Sequence, residues 1–404
     1  MDITELENYF KLHNYTTYQR SSYDQYLKDM SFIFPIPAVH ITGTNGKGST
    51  ANYIYQIYLK AGYKVGLYNS PYLDDATEMV SINGKQIDFE TYNQKFNELK
   101  FDFERYNLSS FEMQTITAFS LFKEANLDLV IIEVGMGGYV DATNIINSIL
   151  SIITSVSLEH TSYLGGTTSE IAYNKAGIIR ENSPVLLGKI DEFALFAIKE
   201  RIKKNNNVIH MVDEFYNEKC GDNEVVFDTR LLKQVHLRTP MLYQAYNACL
   251  AINAVKILDK QFPIIDEEIR KGLLTSPLNC RFEMIDKNIV VDGAHNPEAM
   301  EHLVESIQKF NSKPVHVIFA SFKDKNFSQM LNILDRLSQD ITITTFDHKR
   351  AKTEDEYFLF LSTYKFESDY LNKIKQLREE YPDDLILITG SLYFAGLVKR
   401  ELKK

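Results

Sequence analysis

Short β-branched runs recur along the chain, each followed by a turn rich in Gly, Asn or Ser and then by a helical period. AVHITG (38–43) predicts a strand that opens into a Gly-rich turn. A helix follows from about Ser49, with Ala51, Ile54, Tyr58 and Ala61 on one face and Gly62 as its C-cap. YKVGLY (63–68) predicts a second strand, and MVSINGKQI (79–87) a hairpin about Asn83-Gly84. LDLVIIEVG (127–135), ILSIITSV (149–156) and SPVLLG (183–188) continue the series. These runs are apolar almost throughout, the pattern of strands covered by helices on both faces of a mainly parallel sheet.

Residues 203–235 break the rhythm: KKNNNV and DEFYNEKCGDNEVVFD are polar and predict a small antiparallel excursion. A helix is expected at about 242–259, then a turn-prone stretch, TSPLNCR (275–281). A fresh alternation follows in NIVVDG (288–293), VHVIFAS (315–321), ITITTF (341–346) and DLILITGS (384–391). The expected fold class is therefore α/β: a P-loop-type, mainly parallel sheet domain over 1–277 and a smaller Rossmann-like domain over 278–404, joined near 276–280. No repeat at solenoid spacing is visible.

At about 150 residues per domain, 404 residues allow two or three domains, and the alternation selects two. With 44% hydrophobic and 24% charged residues there is material for a sizeable core, which sets aside disorder and small stapled scaffolds. A net charge of −10 counsels against nucleic acid as a partner. Cys220, Cys249 and Cys280 are odd in number and form no C-x-x-C pair, so buried free thiols in a reducing compartment are expected. MDITELENYF carries acids where a secretory signal would carry Lys or Arg, and the uncharged stretch 142–158 is too polar to span a bilayer. The expectation is a cytoplasmic protein without membrane partners, taken as a monomer.

The strongest local signal is Gly43-Thr44-Asn45-Gly46-Lys47-Gly48-Ser49-Thr50, placed after a strand and opening a helix. Glycines let backbone N–H groups turn inward on a phosphate, and a helix N-terminus adds partial positive charge. Lys47 would reach the β/γ-phosphates, with Ser49 or Thr50 on Mg²⁺; the alternative is a Gly-rich turn with a solvated lysine. Gly48 after the lysine departs from the strict G-x-x-x-x-G-K-[ST] pattern. Glu133 ends an apolar run, where a carboxylate can meet a hard cation or lie solvated at a sheet edge. Gly135, Gly137, Gly138 and Asp141-Ala142-Thr143-Asn144 behind it favour close backbone approach. His160 ends the next strand in the same way, as a ligand or as a satisfied structural residue. Thr167 and Glu170 form a capping box for a helix through about Gly177. On it Lys175, among Ala172, Ala176 and Ile178, is either a snorkelling residue or a desolvated amine. Asp292-Gly293-Ala294-His295-Asn296-Pro297 stands between a strand and a helix, with Pro297 suited to N1. There is no H-E-x-x-H and no G-x-S-x-G.

In chain order, HITGTNGKGST (40–50), NSPYL (69–73), FEMQTITAF (111–119), EVGMGGYVDATN (133–144), ITSVSLEHTSYLG (153–165), NKAGII (174–179), VVDGAHNP (290–297), RA (350–351) and ITGSLYFAG (388–396) resemble the folylpolyglutamate synthase/dihydrofolate synthase family of Mur-type ATP-dependent amide ligases. The resemblance implies that ATP phosphorylates a substrate carboxylate and that the amino group of L-glutamate displaces the phosphate. It implies ATP, L-glutamate and a folate or dihydropteroate as substrates, and Mg²⁺ as cofactor. By this likeness Gly46, Lys47, Gly48 and Ser49 hold the phosphates, and Ser70, Glu133 and His160 match the magnesium ligands. Asn247, Arg281 and Asp292 match ATP contacts, so the nucleotide would lie between domains. Lys175 matches the lysine that becomes carbamylated, and His295 a histidine near the transferred phosphate. Departures fall elsewhere: S-P-H reads Ser70-Pro71-Tyr72, G-G-R-L reads Gly137-Gly138-Tyr139-Val140, His-Gln reads Tyr243-Gln244, G-R reads Cys280-Arg281, and D-K-D reads Asp324-Lys325-Asn326. The family's N-terminal L-G-L-x-R motif is not recognisable in KLHNYTTYQR (11–20). Two further readings stay open: a Mur-type ligase with another carboxylate acceptor, and a nucleotide-binding paralogue without turnover.

Overall fold

In the computed structural model, which describes residues 1–13, 20–221, 223–275 and 279–402, the apolar runs become the strands of two separate sheets. The first holds β1 (Ala38–Thr42), β2 (Val65–Tyr68), β3 (Val80–Ile82), β4 (Lys85–Gln86), β5 (Leu129–Glu133), β6 (Leu150–Ser155), β7 (Val185–Lys189) and β8 (Ile209–Met211). Their spatial order is β4-β3-β2-β5-β1-β6-β7-β8. From β2 to β8 all pairs are parallel, and β3 and β4 add the antiparallel hairpin. Asn83 and Gly84 both take positive φ there, 50° and 86°, as a two-residue turn of the favoured twist requires. Every residue of β1, β5 and β6 is buried, which explains why these runs do not alternate.

Register sets the functional edge. Ile41 of β1 pairs with Glu133 of β5, and Thr42 with Ile153 of β6, so the three central strands end side by side. β1 passes the chain toward β2 on one side while β6 passes it toward β7 on the other. The strand order therefore reverses between β1 and β6, where open α/β sheets leave a crevice.

Three details differ from the sequence expectation. The helix after β1 begins at Lys47 rather than Ser49, and its C-cap is Ala61, with Gly62 one residue further at φ 88°. Residues 209–211 are not part of the polar excursion but form edge strand β8, parallel to β7. Cys220 is only partly buried, whereas Cys249 and Cys280 are buried thiols pushed up to about 12 by burial, and all three are free.

The chain divides into two compact units, the first from Met1–Phe215, Thr229–Val235 and Asn247–Thr275. The second takes Tyr216–Asp228, His236–Tyr246 and the described residues beyond Thr275, and residues 276–278 of the expected junction lie outside the described residues. In the 203–235 region, β9 (Tyr216–Cys220) and β10 (Val225–Asp228) pair antiparallel, flanked by β11 (Val235–Leu237). The main sheet of the second unit contains β12 (Glu283–Asp286), β13 (Ile289–Val291), β14 (Val315–Phe319), β15 (Asp340–Ile343), β16 (Lys365–Phe366) and β17 (Leu385–Thr389). Its order is β12-β13-β17-β14-β15-β16, parallel except for edge strand β12. Val290, Val317 and Leu387 from three strands meet Met300, Leu303 and Ile307 of helix Pro297–Phe310 in its core. Among the described residues no helix is long and apolar enough to cross a membrane.

Candidate active site

The loop after β1 is fastened from below. Thr44 N–H donates to Ser155 O (3.0 Å), Asn45 N–H to Ser155 Oγ (2.9 Å), and Thr154 Oγ1 to Asn45 O (2.6 Å). Gly46 is the N-cap of helix Lys47–Lys60 at φ 84°, a left-handed conformation that glycine adopts without strain. A Cβ on Gly46 would overlap Asn247 Oδ1, so the nearest side chain over this turn is that of buried Asn247 on helix Leu242–Ile257. Lys47 Nζ curls back to donate to Gly43 O (3.0 Å) and Thr44 O (3.3 Å), closing the loop around the helix N-terminus. Ser49 and Thr50 are buried in the first turn, and Thr50 Oγ1 has no hydrogen-bond partner. A loop held open by a neighbouring strand, with N–H groups and an ammonium at one point, is suited to a phosphate chain.

Next to it, Ser70 N–H donates to Glu133 Oε2 (3.0 Å), and the buried Ser70 Oγ has no partner. An orphaned hydroxyl beside a buried carboxylate is a hard-oxygen pair of the kind Mg²⁺ prefers while keeping several waters. These two residues fit such an ion. His160, at φ 50°, heads the short helix Thr161–Leu164, and its Nε2 lies 3.6 Å from Glu159 Oε1. The strand that precedes it, β6 (ending at Ser155), stands two places from β5, roughly 10 Å at strand spacing. The structure thus brings Ser70 and Glu133 together and puts His160 on the same sheet edge. Among the described residues no cluster of three or more His, Cys, Asp or Glu side chains is placed to hold a metal.

Behind β5, the glycines answer a packing demand. A Cβ on Gly138 would sit 2.8 Å from Lys175 O, and Tyr139 N–H donates to Asn174 O (3.1 Å). The loop therefore rests on the C-terminal end of helix Thr168–Lys175, whose capping box of Thr167 and Glu170 forms as expected. Lys175 is buried at that end and the helix continues as a single tighter turn, Ala176–Ile178. Asp141 orders the loop by accepting from Met136 N–H (2.9 Å), Thr143 N–H (2.9 Å) and the Thr143 hydroxyl. Burial raises the Asp141 carboxyl above its ordinary range despite these donors.

In the second unit, β13, β17 and β14 end side by side and carry Asp292–His295, Gly390–Leu392 and Ser321–Asp324 to one edge. Asp292 is buried and accepts Tyr243 O–H (3.0 Å) and Phe282 N–H (2.8 Å) on Oδ2, and Ala294 N–H (2.8 Å) on Oδ1. Burial raises its carboxyl, against the lowering charge of Arg281 and these hydrogen bonds. Tyr243, a departure from the family pattern, is thus a partner of Asp292. His295 Nδ1 lies 2.8 Å from Gly293 O. Asn296 caps helix Pro297–Phe310 through Ala299 N–H (2.9 Å), with Pro297 at its first turn. Arg350 pairs with Asp324 (2.8 Å), joining the R-A and D-K-N segments, and holds the Asp324 carboxyl low against the opposing effect of burial.

Sequence reasoning missed the residues that hold these pieces. His40 in β1 is buried and faces Thr143 Oγ1 (2.9 Å) through Nε2. The Thr143 hydroxyl already donates to Asp141, so His40 Nε2 carries the proton and donates. Burial, aided by the charge of Arg180, lowers the imidazole to about 3, and Nδ1 has no partner. Arg20 Nη1 and Tyr23 O–H hold the carbonyls of Asp141 (2.6 Å) and Ala142 (3.0 Å). Tyr72, where the family has His, donates to Glu7 Oε2 (2.7 Å), while exposed Tyr139 stacks under the Arg201 guanidinium (4.5 Å). None of these contacts has a local signature, since the partners lie far apart in the chain. Residues 14–19, the heart of the unrecognised L-G-L-x-R segment, lie outside the described residues.

The chain matches the Mur ligase middle domain family over residues 41–255 and the Mur ligase glutamate ligase domain family over 280–392. It is 33% identical over 390 residues to the dihydrofolate synthase/folylpolyglutamate synthase of Bacillus subtilis, covering 91% of each chain. The Mycobacterium tuberculosis folylpolyglutamate synthase complexed with ADP shares the fold, with a TM-score of 0.91 at 22% identity over 100% of this chain and 98% of that one. A bifunctional folylpolyglutamate synthase/dihydrofolate synthase with Mn, AMPPNP and L-glutamate bound has a TM-score of 0.88 at 25% identity over 100% and 98%. A phosphate-type loop at the strand reversal, a serine–glutamate pair beside it and an Asp-Gly-Ala-His turn on a second sheet are thus those of a relative: the chain belongs to the folylpolyglutamate synthase/dihydrofolate synthase family of the Mur ligase superfamily.

Proposed function

We propose that the protein is an ATP- and Mg²⁺-dependent ligase that joins L-glutamate to a folate or dihydropteroate carboxylate. The observation that carries this reading is the strapped loop Gly43–Ser49, with Lys47 over its carbonyls, at the strand reversal beside Ser70 and Glu133. A substrate carboxylate oxygen attacks the γ-phosphorus and ADP leaves, giving an acyl phosphate. The glutamate nitrogen then attacks the acyl carbon, loses a proton, and phosphate departs as the C–O bond breaks. The protein's contribution is to hold reactants in line and to meet developing charge.

In this reading Gly46, Lys47, Gly48 and Ser49 hold the phosphates, with Asn247 over the turn. Ser70 and Glu133 would hold Mg²⁺, with His160 from the same edge, and the bound ion would supply positive charge against the phosphate oxygens. Asp292 and His295 serve the nucleotide and its transferred phosphate, supported by the turn they share, and Arg281 joins them through its charge on Asp292. Residues 1–277, apart from 216–228 and 236–246, which belong to the second compact unit, are assigned to the ATP-binding domain and 278–404 to the glutamate-ligase domain. Carbamylation of Lys175 would convert a buried cation into an anion; mass spectrometry of the intact protein tests it as a gain of one CO₂. The three free cysteines suit a reducing compartment such as the cytoplasm.

The decisive experiment is ADP release that requires glutamate together with a reduced folate or dihydropteroate. Lys47→Ala should lower it by roughly a hundredfold or more, the scale of losing a charge-stabilising donor. If neither acceptor raises ADP production, the folate assignment is wrong. A second reading keeps the chemistry and changes the acceptor, favoured by Tyr72, whose hydroxyl is committed to Glu7 where the family places a histidine. A panel of carboxylate acceptors under the same assay separates the two.

A further inference from the structure

The segment that leaves β2 and carries Ser70 to the end of β5 has no regular structure between Asn69 and Asp75, so side chains must hold its course. Besides Glu133, which accepts Ser70 N–H (3.0 Å), two carboxylates do so. Glu78 accepts Leu73 N–H (3.0 Å) and Asp74 N–H (2.8 Å) from within the same stretch. Glu7 reaches in from the N-terminal helix Ile3–Leu12, accepting Tyr72 O–H (2.7 Å) on one oxygen and Ala76 N–H (3.1 Å) on the other. That helix is itself anchored by buried Leu6 and Phe10, and the Tyr72 ring packs against the same core.

We infer that Glu7 and Tyr72 are a positioning pair for the reaction, whose hydrogen bond ties the N-terminal helix to the segment that aims Ser70 at Glu133. Ser70 Oγ is buried and unpartnered, so its direction depends on backbone, and this bond fixes that backbone two residues away. The inference rests on the ligase reading for the ion that Ser70 meets, not for the bond itself.

The test uses the full chain with Tyr72→Phe, which keeps the ring and removes the donor, with Glu7→Ala, and with both. In the metal-free protein the amides of 73–76 should exchange with deuterium about fivefold faster in Tyr72→Phe, the factor that one hydrogen bond commands, and faster still in Glu7→Ala, which also loses the bond to Ala76 N–H. With AMPPNP present, half-saturation by Mn²⁺, read by electron paramagnetic resonance, should rise about fivefold as well. The double variant should fall short of the sum of the two singles, because both remove the same Tyr72–Glu7 bond, and kcat at saturating metal should stay within about twofold of the parent, because only aim is lost. Additive effects overturn the inference, as does wild-type exchange in Tyr72→Phe. Faster exchange with unchanged Mn²⁺ half-saturation also overturns it, since the bond would then hold the segment without aiming Ser70. Should the parent protein release no ADP with any acceptor, the ligase reading fails, while the exchange and Mn²⁺ measurements still decide the role of this pair.

Discussion

Replacing Gly46 by alanine separates two costs that a glycine can hide. Gly46 and Gly62 flank the same helix at nearly equal angles, φ 84° and 88°. A Cβ at Gly62 would meet nothing within 4 Å, whereas one at Gly46 would overlap Asn247 Oδ1. Gly62→Ala should therefore cost only the left-handed backbone penalty, about 1 kcal/mol. Gly46→Ala carries that penalty plus displacement of a buried side chain from a packed position, for a total of about 2–4 kcal/mol. Urea denaturation reads the two stabilities, and calorimetric titration with AMPPNP reads the loop. Affinity should fall about tenfold or more for Gly46→Ala, a loss of roughly 1.4 kcal/mol of binding free energy, and stay level for Gly62→Ala. Combining Gly46→Ala with Asn247→Ala should recover about 1 kcal/mol relative to the sum of the singles, because the overlap is gone. Equal losses for the two glycine variants, with no coupling to Asn247, would refute the close approach.

Two further expectations follow from buried polar groups. His40 is held neutral, with a folded value near 3 against an ordinary 6.5, so the unfolded chain takes up its proton first. Its stabilisation is complete above about pH 6.5 and is lost as pH falls toward 3, at roughly 1.4 kcal/mol per pH unit. His40→Gln keeps a donor for Thr143 and should lack this acid limb in urea midpoints; because raised carboxyls such as Asp141 and Asp292 act with the opposite sign, the difference between parent and variant is the quantity to plot. Identical acid limbs would contradict the neutral assignment. Tyr243→Phe removes one of three donors to Asp292 and should cost about 1 kcal/mol in denaturant stability, whereas no measurable loss would mean that the two backbone donors suffice.

Much of the scaffold is legible in the chain because it is encoded locally. Asn83-Gly84 specifies its hairpin, Thr167 and Glu170 their capping box, and Asn296-Pro297 a helix start, each through bonds among residues a few positions apart. Unbroken apolar runs mark β1, β5 and β6 because both faces are buried. The phosphate-type loop is legible for the same reason, since its glycines answer local backbone demands. The short edge strand β8 escaped notice because Ile209–Met211 is too brief to show a period and is only half covered.

What only the tertiary structure decided is adjacency. Nothing in residues 129–155 says that β5 and β6 flank β1, yet that order sets Glu133 and the His160 segment on either side of the loop. Nor does any local pattern join Glu7 to Tyr72, His40 to Thr143 or Gly46 to Asn247, pairs separated by about 65 to 200 residues. Backbone permissiveness and burial are properties of short stretches and are written in them. Which stretches meet depends on how the whole chain buries its apolar surface, and the polar contacts that aim the site form only once that burial has brought them together.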